Sequence, residues 1–316
     1  MRIVIIGGTG HIGTYLVPRL VMQGHEVVCV SRGGRQPYHD SGIWKLVRRE
    51  TADRAAEESA GTFGARIAAL DADVVVDLIC FTPESARTLV TALAGRVEHF
   101  LLCGTIWVHG HSEVVPTVES MPRAPFGDYG VRKAQIEAML LRASRREGFP
   151  ATLVHPGHIV GPGWVPLNPA GHFNPRVFRT LAEGGTLTLP NLGLETVHHV
   201  HADDVAQVFH RAIERRQAAV GESFHAVSPA ALTLRGYAEA MARWYGTEAR
   251  LAYLPWEQWK ATVTPQEASA TLDHISHSPS CSIEKAQRLL GYQPRYTSLE
   301  GVAESVAWLA AHGGMP

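Results

Sequence analysis

Lysine is scarce in this sequence. Of the 29 Lys and Arg residues in its 316, only Lys45, Lys133, Lys260 and Lys285 are lysine. Neither base forms a dense block and the net charge is −1, so neither nucleic acid nor an anionic membrane is the expected partner. Cysteine is scarce too. Cys29, Cys80 and Cys103 lie in or at the ends of apolar runs, and Cys281 stands alone. Their spacing fits neither a zinc site nor a disulfide framework, which leads us to expect reduced thiols, no metal and a cytoplasmic location. Apolar runs reach only strand length, which excludes a membrane-spanning helix. The chain passes from Arg2-Ile3-Val4-Ile5-Ile6 straight into glycines, unlike a secretory signal. With 45% hydrophobic and 19% charged residues, the composition is that of a globular enzyme with an ample core.

In the first half, strand-like runs at 2–6, 26–30, 43–47, 73–77, 98–103 and 151–155 alternate with helical patterns near 11–23, 53–69, 83–94 and 128–146. Continuous Val/Ile/Leu runs between amphipathic helices describe a Rossmann-like, doubly wound parallel sheet covered on both faces. After about residue 155 the character changes. "PGHIVGPGWVPLNPAGHFNP" (156–175) has no periodicity, and a loop of that length in a compact domain is usually functional. Asp203 and Asp204 stand as the N-cap of a helix in "VAQVFHRAIERR". "GESFHAV" (221–227) is expected to return a strand to the main sheet, with helices following at 233–245, 282–290 and 298–311. The expected organisation is a dinucleotide-binding domain over 1–155, rejoined by segments near 195–227. A smaller, discontinuous substrate lobe occupies most of 156–316.

"IVIIGGTGHIGTYL" (3–16) follows a strand and opens a helix, with Gly7, Gly10 and Gly13 three apart. In that setting Gly7 permits the tight turn, Gly10 lets the backbone approach a pyrophosphate, and Gly13 lets helix and strand close together. Thr9, His11 and Ile12 lie within the same turn, where free helix N–H groups face phosphate oxygens. The strand "EVVCV" is followed by Ser31, Arg32 and Arg35, with no acid to hold a ribose diol. That pattern favours NADP(H), whose 2′-phosphate suits arginine, with NAD(H) as the alternative.

"GDYGVRKAQIEAM" (127–139) sets Tyr129 and Lys133 one helical turn apart. A free tyrosine titrates near ~10, and an adjacent ammonium favours its phenolate. Lowering that pKa by about three units takes roughly 4 kcal/mol of differential interaction. Such a phenol moves a proton to or from a carbinol oxygen while a nicotinamide carries hydride. Thr105 lies just past the strand in "HFLLCGTIWVHG" (99–110), at the carboxyl end where open α/β sheets place their sites.

The glycine turn, "CGTIWVHG", "YGVRK", "HPGHIVGPG" and "HHVHADDVA" stand in an order that resembles the extended short-chain dehydrogenases/reductases, the NAD-dependent epimerase/dehydratase proteins. The ending "SIEKAQRLLGYQPRYTSLEGVAESVAWL" is similar as well, so the resemblance covers nearly the whole chain. It implies an NAD(P)-dependent oxidoreductase, or an epimerase that retains its cofactor, with Thr105, Tyr129 and Lys133 as the triad. It also implies that Lys133 holds the nicotinamide ribose. Cys103, the stretch Leu78, Ile79, Cys80 and Phe81, and the stretch Pro156 through His158 to Ile159 would line the cofactor. A homodimer through the tyrosine-bearing helix is a further implication. A catalytically silent nucleotide-binding or RNA-associated protein is the reading from another class.

Several positions depart from that family's pattern. Thr105 stands where serine is commoner, and His109 replaces a tyrosine. Ile106 and Trp107 occupy the places where dehydratases carry an acidic pair, so expulsion of water from a sugar is not expected. Val197 falls where nucleotide-sugar enzymes place an arginine, leaving Arg176 or Arg179 as substitutes. The substrate candidates are Trp107, His109, Trp164, Asn174 and His198, joined by His158, His172 and His199. The pair His199 and His201 near Asp203 lacks a recognised metal spacing. Trp256 and Trp259 are expected to be packing residues.

Overall fold

The computed structural model describes residues 1–39 and 41–314. Its centre is a seven-stranded parallel sheet of β1 (Arg2–Ile6), β2 (Glu26–Ser31), β3 (Arg48–Thr51), β4 (Val74–Asp77), β5 (His99–Cys103), β6 (Ala151–Pro156) and the strand Ser223–Ala226. The order across the sheet is Ser223–Ala226, β6, β5, β4, β1, β2, β3. Alternate residues of β1 face opposite sides. Ile3 and Ile5 pack with Leu16 and Leu20 of α1 (His11–Met22) and with Phe209 of the helix Ala202–Glu214. Val4 and Ile6 pack with residues of α3 (Phe63–Ala68), α4 (Pro83–Leu93) and α5 (Gly127–Glu147). Both faces are therefore covered, which is why the strands read as unbroken apolar runs. Burying each Ile or Leu in these layers contributes roughly 2 kcal/mol.

The strand order reverses between β1 and β4, because β2 and β3 leave β1 on one side and β4 and β5 on the other. The turns after β1 and β4 diverge there and open a crevice at the strand carboxyl ends. α4 starts cleanly beside it: Thr82 accepts the Ser85 N–H, Pro83 opens the first turn and Glu84 favours the helix N-terminus. α5 ends at Gly148, which is left-handed at φ 75°.

A third apolar cluster, including Phe178, Tyr237 and Trp259, forms in the second half. Trp256 stacks on Trp259 at 5.6 Å, so both tryptophans pack as expected. The strand His158–Val160 pairs in parallel with His199–His201. The helices Leu234–Trp244, Glu284–Leu290 and Ser298–Ala311 and the returning strand Ser223–Ala226 lie where the sequence pattern predicts.

Three local expectations are corrected. The apolar run at 43–47 is a 3-10 turn, Gly42–Leu46, and the strand is the polar Arg48–Thr51. As the edge strand, β3 needs no apolar residue on its exposed sides, so hydrophobicity points to the wrong segment. Helix 53–69 is broken into α2 (Arg54–Ser59) and α3, with Gly61 at φ 70° between them. The cap of helix Ala202–Glu214 is His201, whose Nδ1 accepts the Asp203 N–H. Asp204 instead accepts the N–H groups of Arg295 and Tyr296, pinning the C-terminal segment. All four cysteines are unpaired and buried. Among the described residues, no helix is long and apolar enough to cross a membrane. No group of three or more His, Cys, Asp or Glu is placed there to hold a metal.

Candidate active site

Two adjoining cavities, of about 890 and 550 Å³, run along the strand carboxyl ends. They share Gly7, Gly10, Arg35, Ile79 and Phe81, so they form one groove across the switch point. The glycine turn shapes its floor. Gly7 has φ 85°, and a Cβ there would meet Ile79 at 2.7 Å, while a Cβ on Gly13 would meet the Gly8 carbonyl at 2.1 Å. Gly13 thus closes α1 onto β1 and does not itself line the groove. The Thr14 N–H is already bonded to the Gly10 carbonyl. The turn leaves a shallow, side-chain-free cradle at a helix N-terminus, which fits a dinucleotide pyrophosphate.

The larger cavity, beside β2, is lined by Thr9, Ser31, Arg32 and Arg35. It also contains Asp53 and Arg54, which the sequence reading missed. Asp53 caps α2 by accepting the Ala56 N–H, a signal hidden in what read as one long helix. Arg54 Nη1 donates to both oxygens of the fully buried Asp77, at 2.9 and 3.0 Å, and its buried Nη2 has no partner among the described residues.

The smaller cavity, beside β5, gathers Thr105, Tyr129 and Lys133 with His11, Ile12, Leu78, Cys103, Pro156, His158, Ile159, Trp107 and Trp164. Cys80 is fully buried and contributes only its carbonyl. Thr105 caps the 3-10 turn Ile106–His109 through its Oγ1, which accepts the Trp107 N–H. Lys133 is buried, and its Nζ donates to the carbonyls of Cys80 (2.8 Å) and Cys103 (2.7 Å), tying α5 to the ends of β4 and β5. Its Nζ lies 5.8 Å from the centre of the Tyr129 ring. This corrects the expected depression of the phenol. Tyr129 is 42% exposed. Burial pushes the phenol up to about 12, Cys103 adds to the rise, and the Thr105 hydroxyl draws it partly back.

Beneath the triad lies a polar network that the sequence reading did not find. Glu137 is one turn beyond Lys133 on α5, with its side chain only 3% exposed. Arg123 grips it with two bonds, at 2.8 and 2.7 Å, and His155 Nε2 lies 3.0 Å from its Oε1. His155 Nδ1 in turn accepts the Thr105 N–H at 2.9 Å, which fixes the tautomer: the ring is neutral and its Nε2–H donates to Glu137. Burial works to raise the Glu137 carboxyl. The His155 N–H and the Arg123 guanidinium more than offset it and hold it well below the usual carboxylate range. A Cβ on Gly104 would sit 2.2 Å from His155 Nδ1, so glycine is required there for the ring to reach Thr105. The four-residue spacing Tyr129, Lys133, Glu137 was the available signal.

Three substrate candidates are not brought to the groove. His109 is buried, with its Nε2 2.8 Å from His225 Nε2 and its Nδ1 near Arg123. His198 spans Ser228 O and the Cys281 N–H. Asn174 donates to Glu267 and caps the backbone at Arg176. His172 and His199 are likewise consumed, by Asn168 and by the Leu167 carbonyl. Each satisfies a buried polar group, which a sequence pattern cannot distinguish from a ligand contact. His11 does reach the groove. Its ring meets Trp164 at 3.9 Å and Tyr38 at 4.4 Å, and burial lowers it to about 3.

Comparison with known proteins agrees with this architecture. The profile of the NAD dependent epimerase/dehydratase family matches residues 3–226. A chloroplast stem-loop binding protein of 41 kDa from Arabidopsis thaliana is 25% identical over 317 residues, covering 96% of this chain and 78% of its own. A 2′-dehydrokanamycin reductase from Streptomyces kanamyceticus is 27% identical over 154 residues, but only 49% of this chain and 41% of that protein are covered. The structure of UDP-glucose 4-epimerase with UDP-glucose from Thermotoga maritima shares the fold at a TM-score of 0.74, with 19% identity and 99% of each chain covered. With the matched region spanning the sheet, the glycine turn and the triad helix, the chain belongs to the NAD dependent epimerase/dehydratase family.

Proposed function

We propose that this protein is an NADP(H)-preferring oxidoreductase that interconverts a ketone and its carbinol. The observation that carries this reading is the convergence of Thr105, Tyr129 and Lys133 beside the glycine cradle. A bound nicotinamide dinucleotide supplies the hydride donor or acceptor. Gly7 to Gly13 and the start of α1 would take the pyrophosphate, and Ser31, Arg32 and Arg35 the 2′-phosphate. The Lys133 ammonium has one proton beyond its two carbonyl bonds, available to a ribose hydroxyl. Thr105 holds the substrate oxygen, and Tyr129 exchanges a proton with it. A phenol near 12 is fully protonated at neutral pH, which suits it to donate that proton during reduction. In the oxidative direction it must give up that proton, which a positive ring bound nearby favours. Glu137 and His155 act as positioning residues that set the Thr105 backbone.

Residues 1–155 with the returning segments near 195–227 form the dinucleotide-binding part in this reading, and most of 156–316 forms the substrate lobe. A homodimer would use the outer face of α5, where Arg123, Arg145 and Lys285 border a hollow of about 870 Å³. Light scattering tests it.

Titration calorimetry with NADPH and NADH tests the cofactor, and loss of NADPH absorbance against a ketone panel tests the reaction. An epimerase using the same triad would convert substrate without net NADPH loss. Stem-loop binding, suggested by the Arabidopsis relative, is a second reading. The complete triad and a net charge of −1 weigh against it. A mobility shift with structured RNA, unaltered in Tyr129→Phe, would favour it.

A further inference from the structure

The cavity beside β5 has a wall that the dinucleotide reading does not use. It is assembled from the 3-10 turn Ile106–His109, the strand His158–Val160, the loop before Arg176 and the helix Pro265–His277. Trp107 is its hub. The indole stacks on His277 at 4.1 Å and 15°, meets His274 at 5.2 Å, and faces Tyr129 edge-on at 5.9 Å. His158 and His274 lie 4.5 Å apart, and Phe173 meets His274 edge-on at 5.6 Å. Trp164 and Phe173 stand on the rim, each 43% exposed. Large aromatic side chains left open to water on one cleft are a binding surface rather than a packing remnant.

The charge on this wall is as informative as its shape. Among the described residues no carboxylate lines the cavity, and its cations are Arg35 at the glycine turn and Lys133, which is tied to two carbonyls. Arg176 and Arg179 lie outside the lining, and Arg179 is paired with Glu183 at 2.9 Å. Val197 is fully buried in the third apolar cluster. His158 and His274 supply no positive charge at neutral pH, because burial holds both below their ordinary range. A nucleoside diphosphate seated against this wall would leave its phosphates desolvated and unpaired. The wall does offer a neutral polar handle. His274 Nδ1 is engaged with the Ala270 carbonyl, and the His158 side chain has no hydrogen-bond partner among the described residues.

We infer that the substrate is an uncharged aryl ketone or aryl carbinol whose ring lies against Trp107 and whose oxygen meets Thr105 and Tyr129. This deepens the function proposed above and rests on it. In the reductive direction the carbonyl carbon gains hydride from the reduced dinucleotide, and its oxygen gains the Tyr129 proton. The products are a secondary alcohol and the oxidised dinucleotide, and solvent reprotonates the phenolate.

The test uses the full chain saturated with NADPH. Acetophenone, tetralone and acetylnaphthalene are compared with UDP-glucose and dTDP-glucose for thermal shift, tryptophan-fluorescence quenching and NADPH oxidation. The aryl ketones should bind and be reduced, with neither sugar nucleotide bound. Trp107→Ala should raise KM for the best aryl ketone about tenfold and Trp107→Phe should restore most of it, with NADPH Kd unchanged. Phe173→Ala, at the exposed rim, should raise KM about threefold without a folding cost. Tighter binding of a sugar nucleotide than of every aryl ketone overturns the inference, as does NADPH binding with no aryl ketone bound. Failure to bind either dinucleotide instead overturns the function proposed above, and this inference with it.

Discussion

At the β2 end the groove offers backbone N–H groups, Ser31, three arginines and Asp53; at the β5 end it offers indole, phenyl and imidazole rings around a single hydroxyl pair. The first set is rich in charged groups and fixed donors, and the second is mainly aromatic, with Arg35 and Lys133 as its cations among the described residues. Both ends hang on the same strand termini, so the sheet supplies position and the loops supply chemistry. In the proposed reading, the family frame keeps its dinucleotide end while its other end takes a different class of ligand.

The strongest break in that comparison removes the groove's shared chemistry. Tyr129→Phe should lower kcat by about a thousandfold while leaving NADPH Kd within about twofold, read by steady-state kinetics and calorimetry. Equal loss of cofactor affinity would mean the phenol serves binding, not proton transfer. Acid should act next. Burial lowers His198 and His274 to about 4 and His11 and His199 to about 3, so each is neutral in the folded protein near neutral pH. Below about 6.5 the unfolded chain takes up protons that the folded chain does not, so stability falls as pH falls, by up to ~1.4 kcal/mol per unit per imidazole. Melting curves from pH 7 to 5 should drop steeply, while both ends of the groove keep their ligand affinity in the molecules that remain folded. A flat profile would place these rings in water.

Glu137→Gln tests the support beneath the triad. It keeps the shape but weakens the charge-assisted bonds to Arg123 and His155. We expect a kcat reduced about tenfold, NADPH Kd unchanged, and recovery in Glu137→Asp smaller than in the wild type. A change confined to melting temperature would reduce the pair to a structural role. An effect of similar size, on cofactor preference alone, is expected at the charged end. Arg32→Ala should lower the NADPH over NADH preference about tenfold and leave kcat with saturating NADPH intact. An unchanged preference would assign the 2′-phosphate to Arg35 or abolish the NADP assignment.

The sheet was legible because β1, β2, β4, β5 and β6 are covered on both faces, which forces long apolar runs. β3 was not, since an edge strand escapes that demand and Arg48–Thr51 carries no such run. The glycine turn, Tyr129 and Lys133 were legible because short-range spacing fixes them. Glu137, His155 and Arg123 were not, because their contact depends on pairing β5 with β6 and folding α5 back across both. His109, His198 and Asn174 looked like ligands for the same reason in reverse: only the folded chain reveals which buried polar groups are already spoken for.

The four sequestered thiols give this protein an internal clock. Burial raises Cys29 and Cys103 to about 11 and Cys80 and Cys281 to about 12, so the native molecule holds almost no thiolate. A disulfide reagent in solution should therefore react far faster with molecules that have opened, with Cys103, which lines the smaller cavity, the nearest to solvent in the closed state. Because Cys80 and Cys103 lie beneath the groove and Cys29 lies under the glycine turn, the order in which they are labelled reports which part of the sheet comes apart first.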